Sequence, residues 1–250
     1  MELKEKKVLV FGSGISGEAA AVLLDREGAH VVLYDGNEKL DAVKIKEKMP
    51  ENVEVVVGAF PEEILDELDL TVMSPGVPTD LTVVKKMKEK GIPVWGEIEL
   101  AYTCGKGDVL AITGTNGKTT TTSLLGEIMK NWKESVFVVG NIGNPYTSIV
   151  KDTREDSVIV AEMSSFQLET VHSFRPKVSA ILNITPDHLN RHHTMEAYIA
   201  AKERIAENQT PEDFCVLNYE DDVLRGFGEK VNAQVLYFSS RRKLNRGVYL

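Results

Sequence analysis

Two glycine-rich segments carry the residues whose types and spacing could do chemistry. Gly12-Ser13-Gly14-Ile15-Ser16-Gly17 has the spacing G-x-G-x-x-G, and Asp35 closes the next apolar run 23 residues after Gly12. Glycines at that spacing let the backbone approach a pyrophosphate at a helix N-terminus, and an acid at that distance can reach a ribose or base. NAD and a UDP-sugar both carry a pyrophosphate, so this loop leaves a nicotinamide oxidoreductase open beside a nucleotide-sugar enzyme. The second segment is Gly114-Thr115-Asn116-Gly117-Lys118-Thr119-Thr120, with Ile112 where the strict phosphate-loop pattern has its first glycine. The chemistry survives that departure. Backbone N–H groups from Gly114 to Lys118 can cradle phosphates, Lys118 can neutralise the terminal ones, and the Thr119 hydroxyl can ligate Mg²⁺. A structural tight turn and a solvated loop with a chance Lys-Thr pair are the competing accounts, and the flanking elements count against both.

Those elements alternate. In the first ninety residues, apolar runs at 8–11, 30–34, 53–57, 70–73 and 92–94 read as strands. Amphipathic stretches at 17–27, 40–48, 62–67 and 82–90 separate them as helices. Short apolar strands between amphipathic helices predict a doubly wound parallel sheet. A helical stretch, GEIELAYT, then leads into a second series. Its strands are predicted at 109–113, 136–139, 157–163, 178–184, 214–218 and 235–238, and its helices at 119–130 and 195–208. We place the domain boundary near Pro93, giving an α/β protein with a Rossmann-like domain at 1–93 and a phosphate-loop-type ATP-binding domain at 94–250. The last residues, GVYL, read as a strand start, so the second domain is expected to be truncated. Two nucleotide sites in consecutive αβ domains fit a phosphoryl-driven ligase better than a dehydrogenase.

GTNGKTT (114–120), GNIGNP (140–145), EMSSFQLE (162–169), NITPDHLNRH (183–192) and YIAAKERI (198–205), in that order, resemble the Mur ligase family. GSGISG with Asp35, SPGVP (74–78) and GEIEL (96–100) are similar to the members that add D-glutamate. The resemblance implies an acyl phosphate formed from ATP on the carboxylate of UDP-N-acetylmuramoyl-L-alanine, with D-glutamate as the incoming amine. It implies ATP contacts from 114–120 and Asn141, and a first Mg²⁺ on Thr119 and Glu162. A second Mg²⁺ is implied on His188, supported by Lys202 as a carbamate, which needs a neutral amine and so a depressed pKa. Gly14, Ile15, Ser16, Gly17, Asp35, Ser74, Pro75 and Gly76 are implied to hold the uridine diphosphate, and Ser164, Ser165 and Gln167 to meet the substrate. His192 and His193 read as solvated, and His30 and His172 carry no role. Family members continue into a third domain, so this chain is expected not to complete the reaction alone. Another Mur ligase or a folylpolyglutamate synthase is the nearest alternative, and a non-catalytic nucleotide-binding fragment a further one.

Composition bounds the partners. With 42% hydrophobic and 27% charged residues in 250, the chain can build real cores. A net charge of −9 argues against a general nucleic-acid binder, so anionic ligands must be met by locally positive loops and metal ions. No apolar run approaches the roughly 20 residues of a membrane-spanning helix, and the start lacks a signal-peptide core. Cys104 and Cys215 lie far apart without metal-ligand spacing and read as buried thiols. The expectation is a cytoplasmic monomer whose partners are small molecules, with neither nucleic acid nor membrane among them.

Overall fold

Strands and helices alternate as the periodicity predicts. The computed structural model describes residues 2–249. One compact unit comprises the chain up to Cys104 with Pro145–Lys151 and Thr170–His172, and the other comprises Gly105–Asn144, Asp152–Glu169 and the chain from Ser173 onward.

The first unit contains β1 (Lys7–Phe11), α1 (Ile15–Arg26), β2 (His30–Asp35), α2 (Ala42–Lys46) and β3 (Glu54–Val57). A 3-10 turn at Glu62–Asp66 follows, then β4 (Leu70–Met73), α3 (Thr82–Glu89), β5 (Val94–Gly96) and α4 (Glu97–Cys104). The sheet order is β3-β2-β1-β4-β5, all parallel. Because helices cover both faces, β1 is a continuous buried run from Val8 to Phe11 with no alternation. Leu9, Phe11, Val32 and Tyr34 pack with Val84 and Met87 of α3, each contributing about 1.5–3 kcal/mol by burial. The strand order reverses between β1 and β4, where a doubly wound sheet opens its ligand crevice. The Gly12 loop leaves β1 there and Ser74–Gly76 leaves β4.

The boundary drawn at Pro93 falls inside this unit. Thr71, Val72 and Met73 of β4 pair with Val94, Trp95 and Gly96 of β5, so the proline precedes an edge strand of the first sheet and the unit runs to Cys104. α2 is shorter than the predicted 40–48, starting where the Asp41 carboxylate accepts from the N–H groups of Val43 and Lys44.

The second unit holds β6 (Asp108–Thr113), α5 (Lys118–Lys130), β7 (Val136–Gly140), β8 (Val158–Glu162), α6 (Ser165–Leu168) and β9 (Val178–Ile181). It continues through α7 (Leu189–His192), α8 (Met195–Glu203), β10 (Phe214–Asn218), α9 (Asp222–Gly228), β11 (Gln234–Ser239) and β12 (Val248–Tyr249). The parallel order is β12-β11-β10-β9-β6-β8-β7. Ile112, Val158 and Val160 pack against Leu125 and Met129 of α5, which holds that helix on the sheet. The strands β9, β6, β8 and β7 are neighbours, so the segments after them emerge along one edge. β9 is shorter than predicted, and the helix predicted at 195–208 ends at Glu203, followed by a 3-10 turn at Arg204–Ala206. The short α6, α7 and α9 had no counterpart in the periodicity; Asp221 caps the last of them. Among the described residues, no helix is long and apolar enough to cross a membrane.

Candidate functional site

In the first unit, the Gly12 loop is fastened to the end of β4. Gly12 has φ 101°, and the Ser74 hydroxyl donates to Gly12 O at 2.9 Å. A Cβ on Gly17 would stand 1.7 Å from Gly12 O, so only glycine lets α1 start this close to the turn. Gly14 precedes α1 with no side chain capping the helix, which leaves the first-turn N–H groups facing outward. Ile15, 70% exposed, and half-buried Ser16 stand beside them. Half-buried Pro75 and exposed Gly76 form the turn beyond Ser74.

Asp35 is already engaged. One oxygen accepts from Ser13 N and Ser13 Oγ at 2.9 and 2.8 Å, and the other from Asn37 N at 3.0 Å. Burial raises its pKa, but the hydrogen bonds from Ser13 and Asn37 outweigh burial and leave it below the ordinary value. Its first effect is therefore to hold the loop.

The second unit builds its phosphate loop in the same way. Gly114 and Gly117 take φ 148° and 83°, and Gly117 precedes α5 without a side-chain cap. Thr115 N donates to Asn183 O at 2.9 Å and Asn116 N to Asn183 Oδ1 at 2.8 Å, while Asn183 Nδ2 returns a bond to Asn116 O at 3.0 Å. The predicted cradle from Gly114 to Lys118 is thus narrower, since two of its N–H groups are spent on Asn183. The first i→i−4 bond at the start of α5 comes from Thr121 to Gly117 O, so the N–H groups of Lys118, Thr119 and Thr120 remain for an anion. Lys118 curls back to Thr115 O at 2.9 Å, which places its ammonium over the loop, and the side chains of Thr119 and Thr120 are exposed.

Beside the loop, Ile112 of β6 pairs with Glu162 of β8. Glu162 is 1% exposed; Oε1 accepts from Asn141 Nδ2 at 2.8 Å and Oε2 is buried with no partner. Gly140, at φ 95°, would drive a Cβ to 2.2 Å from Glu162 O, which lets Asn141 turn onto the acid. A buried carboxylate oxygen without a donor is costly unless a cation or ligand satisfies it. No group of three or more His, Cys, Asp or Glu that could hold a metal stands together among the described residues. A cation here needs phosphate oxygens and the Thr119 hydroxyl as well, which is how Mg²⁺ is commonly bound.

Lys202 is 2% exposed, and its amine donates to Gly114 O at 2.8 Å. Burial, then the charge of Lys118, bring its pKa down to about 7, while Asp187 pulls the other way. His188 is half-exposed at φ 52°, with Nε2 3.5 Å from Asp187 Oδ2. Tyr198, 1% exposed, places its hydroxyl 3.0 Å from Thr115 Oγ1.

One expectation changes, that for His192, and the predicted substrate-side residues take on local bonds. Ser164 caps α6, with its N–H and hydroxyl both donating to Gln167 Oε1, and buried Ser165 bonds His192 Nε2 at 2.8 Å. Ser165 and Gln167 are buried and take part in the hydrogen bonding of their own loop. His192, read as solvated, is 7% exposed because α7 turns it inward while His193 stays outside. Asn183, Asp187 and Tyr198 lie within the quoted motifs but were given no role of their own. Asn183 did carry a signal, a polar residue just beyond an apolar strand.

The Mur ligase middle domain matches residues 112–247, and the Mur ligase MurD-like N-terminal domain matches residues 6–96. The chain is 60% identical to the UDP-N-acetylmuramoylalanine–D-glutamate ligase of Lachnospira eligens and 50% identical to that of Clostridioides difficile; each match covers 100% of this chain and 56% of the relative. The chain thus spans little more than half the length of the curated relatives it matches. Among solved structures, the UDP-N-acetylmuramate:L-alanyl-gamma-D-glutamyl-meso-diaminopimelate ligase from Neisseria meningitides shares the fold at a TM-score of 0.62 and 18% identity, over 97% of this chain and 82% of that one. The UDP-N-acetylmuramate-alanine ligase of Thermotoga maritima does so at 0.54 and 22%, over 95% and 53%. With both family models matched in order along two parallel sheets, the chain belongs to the Mur ligase family.

Proposed function

We propose that this chain carries the UDP-sugar and phosphoryl-transfer sites of an ATP-dependent ligase that adds D-glutamate to UDP-N-acetylmuramoyl-L-alanine. The observation that carries it is the buried, partnerless Oε2 of Glu162 on the strand paired with the one that leads into the phosphate loop. The names of relatives up to 60% identical over the whole chain support the substrate assignment. In this reading the protein works as a cytoplasmic monomer with small-molecule partners only.

The chemistry follows from charge. A carboxylate is a poor acyl donor; its attack on the γ-phosphorus of ATP breaks the bond to the β-phosphate oxygen, releases ADP and gives an acyl phosphate with a good leaving group. The D-glutamate amine then displaces phosphate and forms the amide. Lys118 and the first-turn N–H groups of α5 hold the triphosphate and receive the charge that moves onto its oxygens. Glu162 and Thr119 would hold one Mg²⁺, with Asn141 fixing the acid; His188 and carbamylated Lys202 would hold another. When bound, the two ions lower the repulsion between the anionic nucleophile and the phosphate. Lys202 is suited to carbamylation because an amine with a pKa of about 7 is neutral in half the molecules at pH 7, and a neutral amine adds CO₂ with loss of one proton. In the first unit, Gly14 to Gly17 and Ser74 to Gly76 receive the uridine diphosphate at the α1 N-terminus, with Asp35 behind the loop.

A thermal-shift panel tests the assignment. UDP-N-acetylmuramoyl-L-alanine and ATP with Mg²⁺ are each expected to raise the melting temperature, and NAD and dihydrofolate to leave it unchanged. A shift with NAD alone would overturn the ligase reading, and a shift with dihydrofolate in place of the UDP-sugar would move the chain to the folate-directed relatives.

A further inference from the structure

His188 and Lys202 stand at the two ends of a run of rings. The His188 ring lies 5.0 Å from that of Phe166, tilted by 54°. Phe166 also stacks against His192 at 5.4 Å and 26°. His192 meets Tyr198 at 5.3 Å, and the Lys202 amine sits 4.7 Å above the Tyr198 ring. The run is braced along its length. His192 Nε2 bonds Ser165 Oγ at 2.8 Å, the Arg191 guanidinium lies 5.0 Å over Phe166, and the Tyr198 hydroxyl meets Thr115 Oγ1 at 3.0 Å.

His188 itself is weakly held. It precedes the four-residue α7, half its side chain is exposed, and its polar neighbour among the described residues is Asp187, next to it in the chain. The ring it packs against is that of Phe166. Flat rings packed in series transmit position because they neither bend nor compress, and two ligands of one cation must be placed to within a few tenths of an ångström.

We propose that His192 is a positioning residue: its ring is the spacer that, through Phe166, sets the His188 imidazole at a fixed distance from the Lys202 amine. The proposal rests on the reading of His188 and carbamylated Lys202 as ligands of one cation. His192 acts by its shape and stacking here, and its bond to Ser165 keeps the ring from rotating.

The test uses Mn²⁺ as the probe, with the whole chain, bicarbonate and a non-hydrolysable ATP analogue, and counts free Mn²⁺ by electron paramagnetic resonance. His188→Ala is expected to lose one Mn²⁺ site. His192→Leu, which removes the ring, is expected to weaken that site by about tenfold or more, the usual cost of losing a ligand's support. His192→Phe keeps a flat ring and loses the Ser165 bond; its melting temperature is expected to fall while Mn²⁺ affinity stays within about twofold of wild type, well short of that cost. A purely structural role would move both quantities together. Phe166→Leu, at a half-buried position, gives the same reading of the spacer should His192→Leu fail to fold. The ¹H–¹⁵N signals of the His188 imidazole are expected to shift in Phe166→Leu and to return close to wild type in His192→Phe. Wild-type Mn²⁺ affinity in folded His192→Leu or Phe166→Leu, with the site lost in His188→Ala, overturns the spacer and leaves the cation reading standing. Two intact sites in His188→Ala overturn the cation reading and the spacer with it.

Discussion

Asn141 gives its side-chain amide to one oxygen of Glu162 at 2.8 Å while the other oxygen of the same carboxylate lies buried without a partner. One half of the acid is thus fixed by the protein and the other is left for something the protein does not supply. Glu162→Gln keeps the shape and removes the charge. It is expected to abolish the Mg²⁺-dependent part of the affinity for an ATP analogue, measured by calorimetry with Mg²⁺ and with EDTA. Asn141→Ala is expected to weaken that affinity by roughly tenfold and to cost about 1–3 kcal/mol of stability, since it leaves a second buried oxygen unpaired.

Lys202 gives stability a pH dependence whose direction follows from its pKa. The folded-state value is about 7 against an ordinary 10.5, so between those values the unfolded chain binds one proton more than the folded one. Stability must then rise with pH across that window, because the penalty for burying the ammonium is present in full below the folded value and is gone above the unfolded one. Lys202→Met is expected to remove this slope, as measured by urea denaturation at pH 7 and pH 9.5. With ¹³C-bicarbonate, a carbamate signal is expected in the wild type, stronger above pH 7 than below and absent from the variant.

Just beyond β9, Asn183 holds the phosphate loop with both ends of its amide, Oδ1 accepting from Asn116 N and Nδ2 donating to Asn116 O. Asn183→Ala should cost about 1 kcal/mol for each of the two lost bonds. It should also weaken ATP binding several-fold while leaving UDP-sugar binding unchanged. Equal losses for both ligands would show that the residue supports the fold at large and not this loop.

Gly17 admits no side chain. A Cβ there meets a backbone carbonyl, which cannot rotate away, so Gly17→Ala should displace α1 at a cost of about 1–3 kcal/mol and remove UDP-sugar binding. Chemical denaturation and a UDP-sugar titration check the two parts.

Local signals in the sequence were enough for the glycine loops, the strands that feed them and Glu162 at a strand end, because each depends on a few consecutive residues. What depends on distant residues was not legible. Pro93 looks like a break until Val94–Gly96 is seen to pair with β4, and nothing near Pro145 announces that the next residues belong with the first sheet. The adjacent histidines show the same limit. Left-handed backbone at His188 and φ 67° at His193 frame one turn of helix that buries His192, a conformation that no periodicity over four residues could foretell.

The path of the chain has a consequence for anyone recombining members of this family. Pro145–Lys151 and Thr170–His172 are sequence from within the second series that folds as part of the first unit. Within that unit, buried Glu97 accepts from Thr147 N and Thr147 Oγ1 at 2.7 and 2.9 Å, and its other oxygen already has no partner. A chimera joined at a single point near Cys104 would take Thr147 from one parent and Glu97 from the other, so the graft that keeps its parts matched is discontinuous, moving residues 145–151 and 170–172 together with residues 1–104.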